Sequence, residues 1–377
     1  KRREMVTINN IEDCKRIVIK VGSSLVTGSS NNIDNKFLDS ISSDIKYLHD
    51  QNKEVIIVSS GAVALGNINK NKKKLSLSES QAASSVGQIK LINGWESALK
   101  NKGIEVAQIL ITAEDTENRR RYLNARATFE ELLKNKYIPI INENDTVATS
   151  EIRYGDNDRL AARVAGMLSA DCLILLSNID GLYTKDPKSE NGKLITEIKE
   201  IDEDIISMAG KESDQGSGGM VTKIEAAKIS MSAGCNMIIS SGNNNNPILS
   251  IKRGQNCSWF YPSQISKNSL KIWLSGQLKP SGKIYTDEGA SIALLDGKSL
   301  LAAGVVRIEG VFDKGDTLVI YSNNDEEIAR GLSNYNSQDL EKIIGKKSEE
   351  IENILGYADK PEIIHRNNLS YSGKKEV

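Results

Sequence analysis

Histidine is almost missing from this sequence: 377 residues include only His49 and His365. Its unperturbed pKa lies nearest neutrality, so its scarcity argues against histidine-dependent acid–base or nucleophilic catalysis. Cysteine is sparse too. Cys14, Cys172, Cys235 and Cys257 form no C-x-x-C pair, which removes the common His/Cys zinc frameworks, and no residue is assigned as a metal ligand. Such usage reads as a cytoplasmic chain with reduced thiols. Apolar runs such as Cys172-Leu173-Ile174-Leu175-Leu176 fall far short of the ~20 residues that cross a bilayer, so no membrane partner is expected. No secretory leader is legible, and roughly the first ten residues are expected to contribute nothing to the fold. Charge of one sign does not dominate: 49 Lys+Arg face 50 Asp+Glu, a net charge of -1. The whole chain therefore gives no electrostatic reason to seek nucleic acid or an acidic membrane. Neither G-x-x-x-x-G-K-[ST] nor G-x-G-x-x-G occurs, which disfavours a P-loop or a dinucleotide-binding site.

What is present is ordinary in bulk and ordered in pattern. The chain is 39% apolar and 26% charged, a globular composition, and its length predicts two domains. Unbroken apolar, β-branched runs lie at 16–21, 55–59, 106–111, 137–141, 172–177 and 237–240. They read as strands buried on both faces. Helical stretches lie between them at 36–50, 80–100, 119–136, 158–169 and 221–233. Such alternation predicts an α/β domain, a mostly parallel sheet sandwiched by helices. After the Asn243-Asn244-Asn245-Asn246-Pro247 turn the pattern becomes irregular. Short segments broken by glycine follow at 283–285, 291–295, 304–309, 317–321 and 327–332, with a helical piece near 337–344. These predict a small β-rich second domain. The domains are placed at 14–262 and 279–369, with the boundary between Tyr261 and Lys279. Asn69–Lys74 reads as a solvated basic loop.

Polar clusters follow the strands of the first domain: Lys20-Val21-Gly22-Ser23-Ser24, Ser59-Ser60-Gly61-Ala62, Asn142-Glu143-Asn144-Asp145 and Ser177-Asn178-Ile179-Asp180-Gly181. Ligands of open α/β sheets bind at the carboxyl ends of the strands, so these clusters should converge on one edge. Lys20 ends an apolar strand, where an ammonium either reaches out to water or binds an anion. Gly22 would allow close backbone approach. Gly216-Ser217-Gly218-Gly219-Met220-Val221-Thr222-Lys223 runs from a glycine-rich loop into a helix. That segment is either a mobile surface loop or an anion cradle, where Lys223, opposing the helix dipole, would have an anion as partner. In Gly155-Asp156-Asn157-Asp158 one residue serves as a helix N-cap. The others are left to bind an ammonium or Mg²⁺, or to align lysines. Two lysines, glycine loops and carboxylates, without histidine or reactive cysteine, fit phosphoryl transfer, which depends on positioning and charge stabilisation. A carboxylate acceptor, with a pKa of ~4.3 for a Glu side chain, would need no general base.

Together with Asp180-Gly181-Leu182-Tyr183-Thr184, these motifs stand in the order found in amino acid kinases, and the chain resembles that family over nearly its whole length after Cys14. The Asn142–Asp145 and Gly155–Asp158 motifs are similar to those of the branch that phosphorylates the side-chain carboxylate of L-glutamate, the first step of proline biosynthesis. The segments 284–290 and 304–310 resemble a PUA domain. The resemblance implies ATP and L-glutamate as substrates, Mg²⁺, feedback inhibition by proline, and a dimer or tetramer. It also implies roles. Lys20 and Lys223 would hold the transferring phosphoryl group, and Asp158 would orient them. Ser60, Asp145, Asp156 and Asn157 would bind glutamate. Lys20, Ser177 and Asn178, with Ser217, Gly218, Gly219, Met220, Val221, Thr222 and Lys223, would bind ATP. Asn178 departs from the Asp of many members, although its amide can still donate and accept. PUA domains elsewhere bind RNA, but residues 276–377 carry 13 Lys+Arg against 17 Asp+Glu, a net -4. That acidity favours a structural or regulatory role.

Two other readings remain. Another amino acid kinase, acting on N-acetylglutamate, aspartate or UMP, would share the fold. The acidic Asp145 and Asp156 favour a substrate with a free ammonium, which N-acetylglutamate lacks. A non-catalytic regulator or RNA-associated protein would keep the fold but not the site, and Lys20, Asp158 and Lys223 are all present.

Overall fold

The computed structural model describes residues 10–28, 32–67, 75–148, 156–185, 189, 192–210, 219–262, 280–357 and 360–371. The chain divides into two compact units; the first takes the residues up to Asn118 and from Asn124 to Lys267, the second Arg119–Leu123 and Asn268–Val377.

In the first unit the strands are β1 (Arg16–Val21), β2 (Glu54–Ser59), β3 (Val106–Ile111), β4 (Ile138–Glu143), β5 (Cys172–Ser177), β6 (Leu182–Tyr183), β7 (Leu194–Ile195), β8 (Glu197–Ile198), β9 (Asn236–Ser241) and β10 (Cys257–Phe260). Eight of them form one sheet in the order β3-β4-β2-β1-β5-β9-β10-β8. All its pairings are parallel except β9 with β10. Register is level across the centre: Lys20 lies opposite both Val58 and Leu175, and Ser177 opposite Ser241. The carboxyl ends of the central strands therefore reach a common edge.

The helices are α1 (Ser23–Thr27), α2 (Asn35–Asp50), α3 (Ala62–Gly66), α4 (Leu77–Lys100), α5 (Ala113–Glu117), α6 (Arg119–Lys134), α7 (Asp156–Met167), α8 (Glu203–Met208), α9 (Met220–Ser232) and α10 (Pro247–Lys252). On one face Ile17, Ile19, Val55 and Ile57 pack with Ile41 and Ile45 of α2 and with Leu91 and Trp95 of α4. Strand side chains alternate between faces, so Val18 and Lys20 point to the other, where α7 meets β1 and α9. At the amino-terminal edge Arg16 pairs with Glu54 at 2.6 Å and Glu130 at 2.8 Å. That end of the sheet is braced by charge, and the polar clusters are left at the other.

Three local readings are corrected. Strand β3 is not buried on both faces: it is the sheet edge, and Gln108 and Leu110 are exposed. The stretch after the asparagine turn is not irregular throughout, since it forms α10 and β10. Segment 291–295 is not a strand but the end of a helix, Glu288–Leu295, started by Asp287, whose carboxylate accepts from the Ala290 amide at 2.6 Å. The cap and the i, i+3 burial of Ser291 and Leu294 outweigh the β character of Ile292.

The second unit contains β11 (Gly282–Thr286), β12 (Leu300–Leu301), β13 (Val305–Glu309), β14 (Thr317–Tyr321), β15 (Glu327–Leu332), β16 (Glu362–Ile364) and β17 (Leu369–Tyr371). Five of these form a sheet ordered β13-β11-β14-β15-β17, and β12 pairs with β16. Ile284, Leu318, Ile320, Tyr335, Leu340 and Ile363 belong to its own core. The helical piece expected near 337–344 is the helix Ser337–Ile343.

Candidate functional site

Three charged side chains meet where β1, α7 and α9 come together. Lys20 is the fifth residue of β1, Asp158 the third of α7 and Lys223 the fourth of α9. Lys20 Nζ lies 2.5 Å from Asp158 Oδ1, and Lys223 Nζ lies 3.0 Å from Asp158 Oδ2. The Thr222 hydroxyl lies between two acceptors, Gly219 O at 2.9 Å and Asp158 Oδ2 at 3.3 Å. All three charged residues are buried: Lys20 is 6% exposed, Lys223 4% and Asp158 0%. Lys20 thus does not reach out to water, and the anion that Lys223 calls for is, in part, Asp158.

Burial pushes the Asp158 carboxyl up, but the two ammonium groups outweigh it and hold the carboxyl below its ordinary value. Asp158 also lies in the first turn of its helix, where the dipole favours negative charge. The carboxylate is thus ionised, and the three side chains together carry one net positive charge. A buried excess of that sign suits an anion arriving from outside.

A second, neutral network lies at the ends of β2 and β4. Asn157 Nδ2 donates to Ser60 Oγ at 2.8 Å and to Asn142 Oδ1 at 3.0 Å. Asn142 Nδ2 donates in turn to Gln88 Oε1 at 2.8 Å. Asn157 Oδ1 is buried with no hydrogen-bond partner. Asp145, 6% exposed, accepts from the Ser84 hydroxyl. The turn after β2 depends on Gly61, whose φ of 120° no L side chain adopts readily.

A third group follows β5. The Ser177 hydroxyl accepts from the Ile179 amide at 3.2 Å, and Asn178 Nδ2 donates to Ser24 Oγ at 3.0 Å. Gly219 precedes α9 as its N-cap, with no side-chain cap. Gly22 precedes α1, and a Cβ there would meet only Leu176 O at an ordinary 3.6 Å, so packing within the chain does not demand glycine at that position.

Of the residues read from sequence, Lys20, Lys223 and Thr222 each meet Asp158, and Asn157 meets Ser60. Met220 and Val221 are the first two residues of α9, and Asp156 opens α7. Ser217 and Gly218, the residue before α7 where a cap would lie, and the basic loop 69–74 fall outside the described residues. Sequence reasoning missed Ser84 and Gln88. Their signal was spacing: Ser84, Gln88, Leu91 and Trp95 share one helical face, the last two deep in the core, so the first two are polar residues on an inward stripe.

The model of the amino acid kinase family matches residues 15–241, and that of the PUA domain residues 282–355. A glutamate 5-kinase of Rhizobium etli is 50% identical over 364 residues, 96% of this chain and 94% of that protein. One from Bartonella henselae is 50% identical over 368 residues, 97% of each chain. One from Brucella anthropi is 49% identical over 366 residues, covering 96% of this chain and 97% of that protein.

Proposed function

This chain belongs to the amino acid kinase family, and from that premise we propose that it transfers the γ-phosphoryl group of ATP to the side-chain carboxylate of L-glutamate. The products are L-glutamyl 5-phosphate and ADP, and the reaction opens proline biosynthesis. Relatives named glutamate 5-kinase, about half identical along nearly the full length, support the activity. The observation that carries the site assignment is the buried Asp158 held between Lys20 and Lys223.

In this reading a carboxylate oxygen of glutamate attacks the γ-phosphorus. The bond to the β–γ bridging oxygen breaks, and its electron pair leaves with ADP. No proton has to be removed, since a side-chain carboxyl of pKa ~4.3 is already ionised. The near absence of histidine then carries no cost. Lys20 and Lys223 neutralise charge on the γ-phosphoryl oxygens, and Asp158 fixes the two ammonium groups before substrate arrives. Ser60, Asp145, Asp156 and Asn157 bind glutamate. Ser177, Asn178 and the segment from Ser217 through Gly218, Gly219, Met220, Val221 and Thr222 to Lys223 bind ATP.

Asp158 faces two ammonium groups, and Mg²⁺ enters on the phosphates of ATP, as part of the substrate. Proline as a feedback inhibitor, a homo-oligomer and a cytoplasmic location complete the proposal. No described helix is long and apolar enough to cross a membrane.

The test is ADP release with Mg²⁺-ATP and a panel of L-glutamate, L-aspartate, N-acetyl-L-glutamate and UMP, with hydroxylamine to trap an acyl phosphate. Glutamate-dependent ADP release with matching hydroxamate is expected, and turnover of another acceptor alone would overturn the substrate. Lys20→Ala and Lys223→Ala should each lower kcat at least about a hundredfold, ~3 kcal/mol in the barrier, with the fold retained. Near-wild-type kcat in either would sink its assigned role.

A further inference from the structure

We propose that Gln88 is a positioning residue that sets substrate selectivity by deciding which atom of the Asn157 amide faces the substrate. The inference rests on the glutamate reading above. Both protons of Asn157 Nδ2 are in use, one on Ser60 Oγ at 2.8 Å and one on Asn142 Oδ1 at 3.0 Å. The carbonyl oxygen of the same amide is buried and has no partner. A buried acceptor left unpaired is costly, and it points to a ligand that brings an N–H group. On free L-glutamate at neutral pH that group is the α-ammonium.

The Asn157 amide cannot hold this orientation alone. An amide turned by 180° exchanges donor and acceptor while keeping its shape. Ser60 would tolerate the exchange, because a hydroxyl donates as readily as it accepts. Asn142 would tolerate it by turning as well. Gln88 Oε1 opposes that turn, because it accepts from Asn142 Nδ2 at 2.8 Å and so keeps Asn142 Oδ1 toward Asn157; reversal then requires Gln88 to turn as well, so that three amides exchange together. Asn142 is 3% exposed, so water does not readily replace the contact. The glycine contact between α3 and α4 holds Gln88 in reach: Cβ atoms added at Gly66 and Gly87 would lie 1.8 Å from Ala83 O and Ala62 O. Without an acceptor at position 88 the relay can reverse. Asn157 then offers N–H where the ammonium has to sit, and two donors face each other.

The experiment compares wild type with Gln88→Leu, which keeps the bulk and removes the acceptor, and with Gln88→Glu, which restores an acceptor at the same reach. KM for L-glutamate and for ATP, kcat, and kcat/KM for glutarate, which lacks the ammonium, are measured by ADP release. L-glutamate binding is followed separately by calorimetry, and folding by circular dichroism. For Gln88→Leu, KM for L-glutamate should rise roughly tenfold to a hundredfold, as for a lost hydrogen bond to a charged group. KM for ATP should stay within about twofold, and the preference for L-glutamate over glutarate should narrow by a similar factor. Gln88→Glu should recover most of the loss. An unchanged glutamate KM in Gln88→Leu, an equal loss on both acceptors, or a Gln88→Glu variant as impaired as Gln88→Leu each overturns the role of Gln88. If Gln88→Leu lacks wild-type helicity, Gln88→Met is read by the same criteria. A wild-type chain that neither turns over nor binds L-glutamate overturns the glutamate reading and this inference together, which separates the two failures.

Discussion

Asp158 has no exposed surface and two ammonium partners, so its ionisation is tied to folding. Its carboxyl titrates lower in the folded chain than its ordinary 3.8. The stability it contributes is therefore complete above that ordinary value and is lost as pH falls through the still lower folded one. Asp158→Asn leaves two buried ammonium groups short of their counter-charge and should cost on the order of 3–5 kcal/mol. The gap in Tm between wild type and Asp158→Asn is thus expected to stay constant from pH 8 to pH 5 and to narrow below about pH 4. Thermal melts across that range check it, and a gap that already closes between pH 7 and pH 5 would mean the carboxyl is not depressed. At this scale the sequence was largely legible. Lys20 interrupts an apolar strand and Lys223 sits on the wrong end of a helix, and each anomaly marks a partner. Gln88 was not legible, because its role depends on which atom of a neighbouring amide faces it.

Helices α3 and α4 meet through backbone rather than side chains. A Cβ at Gly87 would fall 1.8 Å from Ala62 O, a separation that only a displaced helix relieves. Gly87→Ala should therefore destabilise by about 1–3 kcal/mol as overpacking does, or roughly 2–4 °C in Tm per kcal/mol for a unit of 150–250 residues. Gly289→Ala is the contrast. It lies in the helix Glu288–Leu295, and its Cβ would meet only Asp287 Oδ1 at 3.5 Å. That change should be neutral or stabilising by up to ~1 kcal/mol. Differential scanning calorimetry of both variants distinguishes a glycine required by close approach from one that is not. The strands β1, β2 and β5 were readable as elements because burial on both faces leaves unbroken apolar runs. The edge strand β3 carries the same kind of apolar run without that burial, and the helix Glu288–Leu295 was hidden because the apolar segment 291–295 is too short for its period to separate helix from strand.

At the scale of the molecule, the second unit has a core of its own and an acidic stretch of sequence, 13 Lys+Arg against 17 Asp+Glu over residues 276–377. Phosphate-backbone binding needs the opposite sign. Filter binding with the full chain at low salt is expected to retain no RNA above background, and tight retention that falls steeply with added salt would make the second unit an RNA module. The sequence by itself determined the α/β class, the second β-rich module and the identity of the charged residues, because apolar periodicity and unlikely charges are local signals. Only the tertiary structure decided which of those residues meet. Contact between β1, α7 and α9, and the Gln88–Asn142–Asn157–Ser60 relay, join positions far apart in the chain. Those partnerships depend on sheet order and helix packing, which no local pattern encodes.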